Sequence, residues 1–139
     1  VIVLDTNVLS EALHMRPAAS VRRWMTQQPP GSLFTTSICE AEILLGVSLM
    51  PHGRRRDALD GAIAAIFEVE LAGRILPFDR EAARAFADIS AARRRQGRPI
   101  PTIEAQIAAI ARSRGAAVAT RNVADFAECG IEIIDPWTA

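Results

Sequence analysis

This sequence predicts an α/β fold with a central parallel β-sheet flanked by α-helices, and three observations predict it. Short, unbroken apolar runs such as Val1-Ile2-Val3-Leu4 read as strands buried on both faces, the kind that parallel sheets contain. Amphipathic helical stretches separate these runs, and strands alternating with helices pair in parallel through right-handed crossovers. Acidic residues fall where strands end and helices begin, at the rim where open α/β sheets bind ligands. The 139 residues are expected to form one domain spanning 1–139, large enough for a core without disulfide or metal support.

The first strand runs into Asp5-Thr6-Asn7, which places the Asp5 carboxylate at the edge of a rigid element. Asp5 or Asn7 is also well suited to cap the helix that follows. That helix is expected over residues 7–13 and a second over 18–28, with Val21, Trp24 and Met25 on one face. Pro29-Pro30-Gly31 breaks the chain, and residues 33–36 form a second strand. Ser37 and Glu40 have capping-box spacing, which gives Glu40 a structural role. Glu42 has no such role. Helical spacing groups it with Ile38, Ala41, Leu45 and Leu49 on an apolar face, where a carboxylate is costly unless paired or metal-bound. Gly46, one turn on, is expected to admit a neighbouring backbone.

A long helix starts at Arg54-Arg55-Arg56 and runs through Phe67. Residues 74–79 give a strand and its exit. Residues 80–96 give another amphipathic helix, with Ala83, Phe86 and Ile89 inward. Its closing Arg93-Arg94-Arg95 complements the helix dipole. Beyond the breaker at residues 97–101, Thr102 is expected to cap a helix over 103–114 that carries Glu104 in its first turn. Residues 116–119 read as a buried strand, and the segment 120–125 follows its carboxyl end. Asn122 is placed there to open a turn that Asp125 completes. Residues 131–134 form the last strand.

Composition narrows the function. Net charge is zero, which argues against a strongly basic, autonomous nucleic-acid binder. All 16 cationic residues are arginine, a bias that the alanine-rich composition accounts for. With no lysine, and with Asn7 where a second acid would be wanted, phospho-acceptor chemistry lacks its residues. Cys39 and Cys129 fit buried thiols in a reducing compartment. The apolar start is too short and lacks the basic flank of a signal peptide, and no apolar run is long enough to span a membrane, so a cytoplasmic chain is expected. His14 and His52 fall in loops away from the rim. Clustered carboxylates without histidine or cysteine suit a hard cation, Mg²⁺ or Mn²⁺, which relieves their repulsion. Such an ion activates water and neutralises charge on a phosphodiester, so metal-dependent hydrolysis of a nucleic-acid backbone is the leading reaction class.

Leu4-Asp5-Thr6-Asn7, Glu42-Ile43-Leu44-Leu45-Gly46, Ile75-Leu76-Pro77-Phe78-Asp79, Glu104-Ala105-Gln106-Ile107-Ala108-Ala109, Ala119-Thr120-Arg121-Asn122 and Pro136-Trp137 run essentially end to end. Together they resemble the PIN-domain ribonucleases of the VapC toxin family, in particular the FitB-like branch. The resemblance implies a Mg²⁺- or Mn²⁺-dependent endoribonuclease, the toxin of a type II toxin–antitoxin pair. It implies a homodimer inhibited by a small DNA-binding antitoxin whose tail covers the active site. Promoter DNA is then reached only through the antitoxin, and no membrane is involved.

Residue by residue, the resemblance implies Asp5, Glu42 and Glu104 as metal ligands. With Asn122 they form the catalytic set, and Thr6, Asn7, Thr120 and Asp125 support it. Glu104 stands where an aspartate is usual, and Asn122 where many members carry a fourth acid. Three carboxylates suit one ion with retained waters, so a one-metal resting state is expected and Asp125 is read as a turn residue. The same departures keep a second reading open, a weakly active or inactive PIN protein acting mainly as half of a DNA-bound regulatory complex. Val21, Trp24 and Met25, and the helix after Arg56, are the apolar faces expected to meet a partner.

Overall fold

The computed structural model describes residues 1–139. Its sheet contains β1 (Ile2–Leu4), β2 (Leu33–Thr36), β3 (Ile75–Leu76), β4 (Ala117–Ala119) and β5 (Ile133–Ile134). All are parallel, in the order β3-β2-β1-β4-β5. The continuous apolar run of β1 reflects its central place: Val3 and Leu4 are buried, and residues Ile2 to Leu4 pair with Ala117 to Ala119. Parallel neighbours need long crossovers, and helices supply them. The first crossover holds α1 (Thr6–Ala12) and α2 (Ala19–Gln27), and the second α3 (Ser37–Ser48) and α4 (Arg54–Ala64). The third holds α5 (Arg80–Arg95) and α6 (Thr102–Ser113). Strand order reverses between β1 and β4, so their carboxyl ends flank the crevice where ligands of such sheets bind. No helix is long and apolar enough to cross a membrane.

Local details depart from the sequence pattern for identifiable reasons. Thr36, not Ser37, caps α3, its hydroxyl accepting the Cys39 N–H at 3.0 Å, so Glu40 belongs to no capping box. The buried face of α3 is Cys39, Ile43 and Val47, while Leu45 and Leu49 are 60% and 77% exposed. That helix is apolar on nearly all sides, so periodicity alone gives no phase, and packing chooses the face. Glu42 is half-buried rather than set in a buried apolar stripe. A Cβ at Gly46 would meet nothing within 4 Å, so no backbone approaches there.

The long helix from Arg54 changes character at Ala65. A π-helical segment, Ala65–Glu70, carries Phe67 and the following Leu71 into the core. In α5 the buried residues are Ala82, Ile89 and Arg93, with Ala83 exposed and Phe86 half-buried. Pro101 precedes α6 and offers no side-chain cap, so Thr102 is the first helical residue instead. Val21 and Trp24 belong to this chain's own core. They are closed to a partner, and the large apolar side chains that are exposed include Leu44, Leu45, Leu49 and Val69.

Arg93 departs furthest from expectation. It is 4% exposed, so it does not serve as a solvated cation at a helix end. Its Nε donates to the Arg98 carbonyl at 2.7 Å, and its Nη1 to the carbonyls of Asp125 and Ala127 at 2.9 Å each. Nη1 also reaches the Cys129 sulfur at 3.7 Å. This guanidinium clamps the loop after β4 onto α5. Both cysteines are free and buried, and burial pushes each thiol above its ordinary value.

Arg93→Met keeps much of the side-chain length but leaves three carbonyls without their donor. At roughly 1 kcal/mol or more for each abandoned acceptor, urea denaturation should register a loss on the order of 3 kcal/mol. Arg93→Lys should recover only part of it, and an unchanged midpoint in Arg93→Met would dismiss the clamp.

Candidate active site

The first acid is positioned by the sheet. The Asp5 N–H donates to the Ala119 carbonyl at 2.9 Å, extending the β1–β4 ladder by one residue before α1 begins. Its carboxylate then serves two purposes. Oδ1 accepts the Thr6 N–H at 2.8 Å and caps α1. Oδ2 accepts the Thr120 hydroxyl at 2.7 Å and the Asn7 side-chain amide at 3.3 Å. Thr120 follows β4 as Asp5 follows β1, with its N–H on the Ile134 carbonyl at 2.9 Å. The Thr120 hydroxyl oxygen also accepts the Asn122 N–H at 3.0 Å and the Asn7 amide at 3.3 Å. This mesh ties the start of α1 to the loop after β4.

The second acid arrives from α3. The Thr6 hydroxyl donates to Glu42 Oε1 at 2.5 Å, bringing Glu42 to the first residue of α1. Glu104, half-buried in the first turn of α6, completes the set. Asp5 is only 4% exposed, and burial is the main force holding its carboxyl above the usual carboxylate range. Hydrogen bonds from Thr120 and Thr6 oppose that rise, and the charges of Glu42 and Glu104 add to it. The three acids therefore share one electrostatic neighbourhood.

No cation of the chain neutralises them, since the ion pairs are His14–Glu11, Arg98–Glu128 and Arg114–Asp79. Hard oxygen donors with uncompensated negative charge fit a divalent ion. The carboxylates are not a closed cage: no three Asp, Glu, His or Cys side chains gather tightly enough to form one. Asp5 is fixed by its hydrogen bonds, so closure around an ion falls to the longer, half-buried Glu42 and Glu104.

Asn122 joins the rim through its backbone. Its N–H is on Thr120, and its carbonyl accepts the Asp125 N–H at 3.1 Å, closing a turn. The Asn122 side chain is exposed, and Asp125 is half-buried with its carbonyl on Arg93. Sequence reasoning overlooked Arg93 as the support of this loop, and nothing in an arginine triplet distinguishes a buried member. A groove lined by Leu9, Leu13, Met25, Ile66 and Leu71 contains none of the three acids.

Comparison with known proteins adds to this geometry. A family model described as PIN domain matches residues 2–130. VapC ribonuclease Y4jK of Sinorhizobium fredii is 39% identical over 136 residues, covering 98% of this chain and 97% of that protein. Toxin FitB of Neisseria gonorrhoeae is 33% identical over 136 residues and covers 98% of both chains. A solved structure of FitAB bound to an IR36 DNA fragment superposes with a TM-score of 0.92 at 33% identity, covering 99% of this chain and 96% of that one.

The raised Asp5 value has a signed consequence for the metal-free protein. Between 3.8 and the folded value, the folded state holds a proton that the unfolded state has released. Stability therefore falls as pH rises through the folded value, and the penalty is complete above it and absent below 3.8. In EDTA, Asp5→Asn should melt above the parent at about pH 7 and lose that advantage near pH 3.5. Melting temperatures that track each other across this range would contradict the buried, repelled carboxylate.

Proposed function

The chain belongs to the PIN-domain family, and on that premise we propose that it is a Mg²⁺- or Mn²⁺-dependent endoribonuclease, the toxin of a type II toxin–antitoxin pair. The observation that carries this reading is the rim on which the charges of Glu42 and Glu104 bear on the buried Asp5 carboxylate, with no cation of the chain paired to any of the three. Relatives named VapC ribonuclease and Toxin FitB, similar along nearly their whole length, support it.

A divalent ion held there supplies Lewis-acid activation of water and neutralises charge on the phosphodiester. The chain's own residues do the rest. Asp5 is the rigid ligand, oriented by Thr120, Thr6 and Asn7. Glu42 is aimed by the Thr6 hydroxyl, and Glu104 is delivered by α6. The exposed Asn122 amide offers hydrogen bonds but no charge to the rim.

The FitAB–DNA structure supports a small antitoxin partner and access to promoter DNA through it. A net charge of zero agrees, because the chain alone has little counterion-release drive toward DNA. The α3 leucines, Leu44, Leu45 and Leu49, offer an exposed apolar surface to a second subunit or the antitoxin. Cytoplasmic action fits two reduced, buried thiols. Two observations favour a second reading, a regulatory half with little nuclease activity: the acids form no closed cage, and Asn122 brings no charge.

Metal-titrated RNA cleavage separates the two readings. The parent should cut RNA, and Asp5→Asn or Glu42→Gln should lose on the order of 10²-fold or more while staying folded. Cleavage at the parental rate by either variant would refute the site, and an inert parent would favour the regulatory reading.

Asn122 supplies a separate check. Asn122→Asp should tighten Mg²⁺ binding in calorimetry by adding a fourth charge to the rim. Two ions bound by the substrate-free parent would contradict the one-metal resting state.

A further inference from the structure

Arg121 carries a charge that the chain itself does not neutralise. Its guanidinium lies over the Trp137 ring, 4.9 Å from the centroid. It enters none of the ion pairs, and only its backbone N–H is hydrogen-bonded. The residue is exposed, yet its backbone is closely tied to the acidic rim. The Arg121 N–H donates to Asn7 Oδ1, and the Asn7 amide donates to Asp5 Oδ2, each at 3.3 Å. Trp137 is a firm support, its N–H on Asp135 Oδ1 at 2.9 Å and its ring packed against the core. A cation over an aromatic face is restrained in position while its N–H donors stay free. A guanidinium fork in that state matches the oxygens of a phosphate.

We propose that Arg121, held in place by Trp137, binds a phosphate of the RNA strand beside the acidic rim. The inference rests on the endoribonuclease reading and names the contact that reading lacks. Three carboxylates repel a polyanion, and a chain of zero net charge offers no general attraction to offset them. A fixed cation next to the rim draws the backbone in without neutralising the acids.

The test is binding of a fluorescent single-stranded RNA to the full chain in EDTA, titrated with salt, alongside cleavage in Mg²⁺ or Mn²⁺. Arg121→Gln should bind about tenfold more weakly, and its slope of log affinity against log salt should shrink by about 0.7. In cleavage it should raise KM by a similar factor with kcat little changed. Arg121→Lys should restore the slope and part of the affinity. Trp137→Phe should keep both, and Trp137→Leu should weaken binding with the slope intact.

If the folded Arg121→Gln variant binds with the parental affinity and slope, the proposal is overturned. A lowered Tm as the variant's sole effect would also overturn it, reducing the pair to a fastener of the C-terminal segment. A parent that binds RNA through Arg121 but cuts none supports this contact and refutes the nuclease reading. A parent that neither binds nor cuts refutes both.

Discussion

The hydrogen bond from the Thr120 hydroxyl to the Asp5 carboxylate, 2.7 Å long, is the contact on which the rim depends. A carboxylate only 4% exposed is untenable without donors, because desolvation penalises its charge. Thr120 is available because β1 and β4 are parallel neighbours, so the residues that follow them emerge side by side. That adjacency exists only because strand order reverses at this point of the sheet. Topology thus decides chemistry. Asn7, Arg121 and Asn122 all bond to this pair or to one another, and Glu42 connects through Thr6.

The parts of the fold legible in the sequence were those where one physical demand has one solution. A short apolar run ending in an acid reads as a central parallel strand, and Val3 and Leu4 are fully enclosed as that requires. The second strand, Leu33–Thr36, occupies the residues expected of it. The phase of α3 was not legible, because a helix apolar on nearly all sides gives periodicity little to fix. Glu42 was singled out by an argument from an apolar stripe. The structure instead sets it beside the Thr6 hydroxyl, half-exposed. Two adjacent hydroxyl residues, Thr36 and Ser37, are equally good caps on paper, and the end of β2 chooses between them. For α2, amphipathicity marked the apolar side but not what covers it, and Val21 and Trp24 turned into the chain's own core.

Charge was the least legible quantity. Arg54-Arg55-Arg56 and Arg93-Arg94-Arg95 look alike in sequence, yet Arg54 and Arg55 are exposed while Arg93 is interior. The partners of Arg93 are main-chain carbonyls, which leave no trace in composition or spacing. The acids of the rim were easier to find because their side chains carry the chemistry. Their isolation from every arginine was visible only once the ion pairs of the folded chain were known.

The clamp at Arg93 has a consequence for how this protein changes over generations. Its acceptors in the loop after β4 are carbonyls of Asp125 and Ala127, groups that every residue type supplies. Between those two carbonyls Phe126 is fully buried, so the loop is held by its main chain at two points and by one core side chain. Glu128, at a positive φ of 59°, is another position where replacement is restricted, since few residues adopt that conformation readily. Val123 and Ala124, both exposed in that loop, can be exchanged with no compensating change in the interior. Single substitutions can accumulate there without moving the acids, whose positions the sheet dictates.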